Sequence, residues 1–116
     1  MSKIMLIEDD STMQMLLKTL LEMEGYSVIP WDVDKDPISM MQEKYPDLVL
    51  LDVNLKGFDG FEVLRRIRED TNLKDCRVVM SSGINYKVES IAKGADEFIL
   101  KPYMPDDLIK LLKREA

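Results

Sequence analysis

The 116-residue sequence contains no histidine. That excludes a Ser-His-Asp or Cys-His triad and any His-ligated zinc site. A single cysteine, Cys76, excludes an intramolecular disulfide and a Cys-based metal cluster. With no imidazole to activate it, Cys76 reads as a packed residue near the start of a strand. No apolar run approaches the roughly 20 residues of a membrane span. The opening "MSKIMLIEDD" carries acids where a secretory signal would carry its apolar run, so a cytoplasmic protein is expected. Positive charge is also scarce: 22 acids against 16 bases give a net charge of −6. Direct nucleic-acid binding, which rests on a basic surface, is not expected. Any chemistry must use carboxylates, lysines, hydroxyls or backbone groups.

What is present is a regular alternation. Hydrophobic residues make up 46% of the chain, enough for one domain over residues 1–116. "IMLI" (4–7), "SVI" (27–29), "LVLL" (48–51), "VVM" (78–80) and "FIL" (98–100) are short continuous apolar runs. Such runs suit strands buried on both faces of a parallel sheet. Between them the apolar spacing is helical. Met13, Leu16, Leu17, Leu20 and Leu21 mark a first helix, with Ser11 and Gln14 as a capping-box pair and Gly25 as its stop. Asp36-Pro37 is an N-cap and first-turn pair for a second helix. Phe61, Leu64 and Ile67 mark a third, Tyr86 to Lys93 a short fourth. Pro105, Asp106 and Asp107 open a fifth that carries Leu108, Leu111 and Leu112. Strict β-α alternation predicts an α/β fold: a five-stranded parallel sheet with helices on both faces, doubly wound and flavodoxin-like, in strand order 2-1-3-4-5.

In such sheets ligands bind beyond the carboxyl ends of the strands, beside strand 1. Glu8, Asp9 and Asp10 follow strand 1, and Asp52 ends strand 3. Ser81, Ser82 and Gly83 follow strand 4, and Lys101 follows strand 5. Asp10 reads as a helix cap and Ser81 as an ordinary loop residue. If strands 1 and 3 are neighbours, Asp9 and Asp52 converge, and their repulsion is costly unless a proton or a cation intervenes. An all-oxygen donor set with room for water suits Mg²⁺ better than Ca²⁺. The loop after strand 1 is acidic and has no glycine, unlike a direct phosphate-binding loop. A carboxylate at position 52 is a plausible nucleophile toward phosphorus, with Lys101 and the Ser82 hydroxyl as partners for phosphoryl oxygens.

The stretches "IMLIEDD", "PDLVLLDVNLKGFDGFEVL", "VVMSSG" and "GADEFILKP", in this order and at strand ends, resemble the receiver domain of two-component response regulators, of the chemotaxis-type single-domain form. The likeness covers essentially the whole chain. It implies that Asp52 accepts the phosphoryl group, that Asp9, with Glu8 through water, holds Mg²⁺, and that Asn54 offers its backbone carbonyl to the metal. It implies catalytic support from Ser82 and Lys101, and a switch through Ser82 and Phe98 that reshapes the face of the fourth helix, fifth strand and fifth helix. The implied donor is a phosphohistidine on a sensor histidine kinase or a histidine phosphotransfer protein. The downstream partner is an unidentified protein or an output domain. No output segment is visible in these residues, which fits either a stand-alone receiver or a piece of a longer regulator.

Four departures stand out. Lys56 occupies a position the family usually gives to proline, so a more mobile loop is expected. Ser82 and Lys101 lie 19 positions apart, about one helical turn less than usual, so a short or irregular fourth helix is expected. The second helix follows an acidic stretch, "IPWDVDKD". Ile84, two after Ser82, puts an apolar side chain where the family tunes water access, so slow loss of the phosphoryl group is expected. Trp31 is expected at the rim of the sheet, with no role beyond packing. Two rival functions fit these residues less well. A phosphatase of the haloacid-dehalogenase type would place an aspartate two residues after the nucleophile, where Asn54 stands. An interaction domain that is never phosphorylated would lack one of Asp9, Asp52, Ser82 or Lys101, and all four are present.

Overall fold

The computed structural model describes residues 2–114. Its main sheet is built from β1 (Lys3–Ile7), β2 (Ser27–Pro30), β3 (Leu48–Asp52), β6 (Arg77–Ser82) and β7 (Glu97–Leu100). All neighbours run parallel, in the order β2-β1-β3-β6-β7. This is the expected 2-1-3-4-5 arrangement, with β6 and β7 as fourth and fifth strands. Between β3 and the third helix, β4 (Asn54–Leu55) and β5 (Phe58–Asp59) form a small antiparallel ribbon. The helices are α1 (Ser11–Met23), α2 (Pro37–Lys44), α3 (Gly60–Glu69), α4 (Lys87–Ala92) and α5 (Pro105–Lys113). None is long and apolar enough to cross a membrane.

The continuous apolar runs serve two cores at once because strand side chains alternate faces. Met5, Ile7, Val49, Leu51, Val78 and Met80 meet Met41 of α2 and Leu64 and Ile67 of α3 on one side. Ile4, Leu6, Leu48, Leu50 and Val79 meet Leu17 and Leu21 of α1 and Leu108 and Leu112 of α5 on the other. The edge strands depart from the expectation of two-sided burial. In β7, Phe98 and Ile99 are half-buried and Leu100 is exposed. Among the described residues the strand has a neighbour on one side only, and α4 covers it thinly.

Helix starts follow local chemistry. Asp36 caps α2 by accepting from Ser39 N–H at 3.0 Å, with Pro37 in the first turn. The same carboxylate accepts from the Arg66 guanidinium of α3 at 2.9 Å, which chiefly holds its pKa below the ordinary 3.8 of an aspartate. Its stabilisation is therefore complete above that value and fades as pH falls through the lower folded value. Asp36→Ala should cost about 1 kcal/mol near neutral pH, mostly from the lost cap, since the exposed ion pair adds little. Denaturant melts at descending pH should show the gap to wild type narrowing on the acid side. A gap that stays constant down to acid pH would refute the assignment.

The start of α1 corrects the expected capping box. The cap is Asp10, whose side chain accepts from Met13 N–H at 3.1 Å, and Ser11 is already helical. Gln14 turns away to two backbone carbonyls instead. Trp31 is also corrected: it is buried in the core at 2% exposure, not at the rim. Its ring stands edge-on to Phe58 at 5.7 Å, and Nε1–H donates to the Lys35 carbonyl, so burial strands no polar group. Cys76 precedes β6 as expected, and burial pushes its thiol up to about 12, which makes it inert. α4 is short, as expected: six residues, no side-chain cap, and Ser90 as its one buried residue.

Candidate phosphoryl-transfer and metal site

Strand register assembles the site. Ile7 pairs with Leu51, so Glu8 emerges beside Asp52 at the carboxyl ends of β1 and β3. Asp52 pairs with Ser81, and Ser82 pairs with Leu100, which brings Lys101 to the same edge. β6 thus runs two residues further than the apolar run suggested, and Ser81 is a strand residue, not a loop one. Lys101 reaches back into the cluster. Its Nζ donates to Glu8 Oε2 at 2.6 Å and to Asp52 Oδ2 at 3.0 Å.

Glu8, Asp9 and Asp52 each place a carboxylate oxygen within 4.8 Å of the others. Glu8 and Asp52 are buried, while Asp9 is exposed and opens the cluster to solvent. Burial raises the pKa of Glu8, against the opposing pull of Lys101. Burial also pulls Lys101 down most strongly of any single influence, but its bonds to Glu8 and Asp52 together raise it. One ammonium therefore faces three carboxylates, and the excess negative charge matches a hard divalent cation with oxygen ligands. Asn54 lies at the start of the ribbon, exposed, two residues past Asp52.

Ser82 is buried on the strand next to Asp52, and its Oγ accepts from Ile84 N–H at 3.1 Å. Its carbonyl accepts from Lys101 N–H at 2.8 Å, tying the two loops. Ile84 itself projects into solvent. Phe98 lies on β7, half-buried against the α2–α3 core. The Lys101–Pro102 peptide bond is cis.

Three residues at this edge carry weight that the sequence did not signal. Lys56 donates its backbone N–H to Asp9 Oδ2 at 2.7 Å, a bond that proline could not make. Gly60 N–H donates to Val53 carbonyl at 2.7 Å at the foot of the ribbon. Gln14 Nε2 donates to the Glu8 carbonyl. The Lys56–Asp9 bond joins residues 47 positions apart and depends on how the strands align, so no local motif announces it.

The chain matches the response regulator receiver domain over residues 4–113. It belongs to that family. The receiver domain of the Klebsiella pneumoniae regulator RstA, solved in a BeF3-activated form, superposes with a TM-score of 0.84 at 28% identity, covering 96% of this chain and 95% of that one. The Vibrio cholerae chemotaxis response regulator CheY4 gives a TM-score of 0.90 at 26% identity over 98% of both chains. The cell cycle transcriptional regulator CtrA of Caulobacter vibrioides is 34% identical over 108 residues, 92% of this receiver domain and 47% of that protein. The receiver domain spans about half the length of the curated relatives it matches.

Proposed function

We propose that this receiver domain accepts a phosphoryl group on Asp52 and uses it to change the affinity of its outer face for a partner. The observation that carries the reading is the convergence of Lys101 Nζ on Asp52 Oδ2 at 3.0 Å with Glu8 and Asp9 alongside. The donor we infer is a phosphohistidine on a sensor histidine kinase or a histidine phosphotransfer protein, which fits a chain without histidine of its own. An Asp52 carboxylate oxygen forms the new bond to phosphorus. The P–N bond breaks, and the leaving imidazole keeps its electron pair. Lys101 holds Asp52 in place and offers its ammonium to a phosphoryl oxygen as charge shifts. Ser82 gives its hydroxyl to a second oxygen.

Glu8, Asp9, Asp52 and the Asn54 carbonyl are the groups that would hold Mg²⁺. When bound, the ion neutralises charge on the transferring phosphoryl group. Asn54 stands where a phosphatase of the haloacid-dehalogenase type would place its acid–base aspartate, which favours a signalling module over a phosphatase. Movement of Ser82 toward the modified Asp52 would draw the β6–α4 loop with it, and Phe98 would turn into the space released. The face that responds carries exposed apolar side chains at Ile84, Val88, Ile91, Leu100 and Met104. These suit a protein partner or an output domain.

The test is intact-mass measurement after treatment with acetyl phosphate. Wild type should gain one phosphoryl group in the presence of Mg²⁺ and none in chelator, and Asp52→Asn should gain none in either. A gain of equal size in Asp52→Asn, or no gain in wild type, would overturn the reading.

A further inference from the structure

Gln14 sits near the start of α1, half-buried, and its two amide hydrogens serve two strand ends. Nε2 donates to the Glu8 carbonyl at 2.5 Å and to the Trp31 carbonyl at 3.0 Å. Those residues follow the last paired positions of β1 and β2, where the ladder ends at Leu6 and Pro30. The amide takes over where the ladder stops, and so ties the acidic loop to the rest of the sheet.

The tie belongs to a closed circuit. Asp10 N–H donates back to Glu8 Oε1 at 3.1 Å, which tightens the acidic loop on itself. Asp9 Oδ2 is held by Lys56 N–H at the tip of the ribbon. The ribbon pairs Leu55 with Phe58, and Phe58 packs edge-on against Trp31 at 5.7 Å. Trp31 returns to Gln14 through its carbonyl. The loop bearing Glu8 and Asp9 and the ribbon that follows Asp52 are thereby braced against each other, and Gln14 is the uncharged side chain that joins them. The geometry points to Gln14 as a positioning residue that holds Glu8 and Asp9 in place for a divalent cation.

The physical need is plain. Glu8, Asp9 and Asp52 repel one another, and a loop free to relax would spread them. Hydrogen bonds behind the ligands fix their orientation, and losing such a partner typically weakens metal affinity on the order of 10- to 100-fold. The inference rests on the cation reading proposed above.

The test is the thermal unfolding midpoint of the full chain as a function of Mg²⁺ concentration. A ligand that binds only the folded state stabilises it by RT ln(1 + L/Kd), where L is the free ligand concentration, so a weaker Kd moves the whole rise of the midpoint to proportionally higher ligand concentration. Gln14→Met keeps the side-chain length and removes both donors. It should need on the order of 10-fold more Mg²⁺ than wild type for the same rise. Gln14→Asn keeps an amide that falls one methylene short of both carbonyls, should show the same shift, and carries the test if the methionine variant does not fold. A merely structural role would lower the midpoint by the same amount at every Mg²⁺ concentration. Such parallel curves overturn the inference and leave the cation reading intact. A wild type whose midpoint ignores Mg²⁺ overturns both.

Discussion

Lys101→Ala should take up a phosphoryl group on the order of 100-fold or more slowly than wild type, the usual effect of deleting one preorganised donor to developing charge. The side chain does two things at once. It bridges Glu8 and Asp52 before transfer, at 2.6 and 3.0 Å, and among the described residues it is the single ammonium bonded to that cluster. Without it, both buried carboxylates lose their counter-charge and Asp52 loses its orientation. The loss should appear in the rate of mass gain from acetyl phosphate at saturating Mg²⁺, with Asp52 still the modified residue. Uptake within a few-fold of wild type would show that Lys101 is only a structural partner of Glu8.

Gly60→Ala should cost on the order of 3 kcal/mol in stability, the upper range for forcing atoms into a filled space. A Cβ at position 60 would overlap the Asp52 carbonyl oxygen and would meet the Val53 Cα at 2.7 Å and the Val53 carbonyl oxygen at 2.8 Å. All three are backbone atoms and cannot swing aside. The displaced segment is the one that carries Asp52. A shift of roughly 1 Å there should also slow phosphoryl uptake about 100-fold, as misplacement of reacting groups does. Gly83→Ala is the natural contrast, because a Cβ there meets nothing within 4 Å. Denaturant melts of the two variants should differ clearly; equal small losses would refute the packing argument.

The legibility of this fold in its sequence has a physical pattern. Asp52, Glu8 and Lys101 were readable because each directly ends an apolar strand run, and parallel pairing makes strand ends converge. Asp36 was readable because a cap acts within three residues of itself. Trp31 was not, because its burial is decided by Phe58, far along the chain. The start of α1 carries two readings, Asp10 as the cap and Ser11 with Gln14 as a capping box, because both residues suit the position. The backbone bears out Asp10 and not the box. The apolar run of β7 suggested a fully buried strand, but run composition does not say whether a strand has one neighbour or two. Lys56 illustrates the same limit from the other side. Its expected contribution was a charge in a loosened loop, and its contribution in the fold is a backbone N–H on Asp9.

The account turns on which atom receives the phosphoryl group. An acyl phosphate on aspartate is reduced by borohydride to homoserine, so peptide mapping after acetyl phosphate, Mg²⁺ and reduction locates the modified position directly. The account predicts homoserine at position 52 alone, dependent on Mg²⁺. Homoserine at position 9, or a phosphoryl group that resists reduction on Ser82, would contradict it.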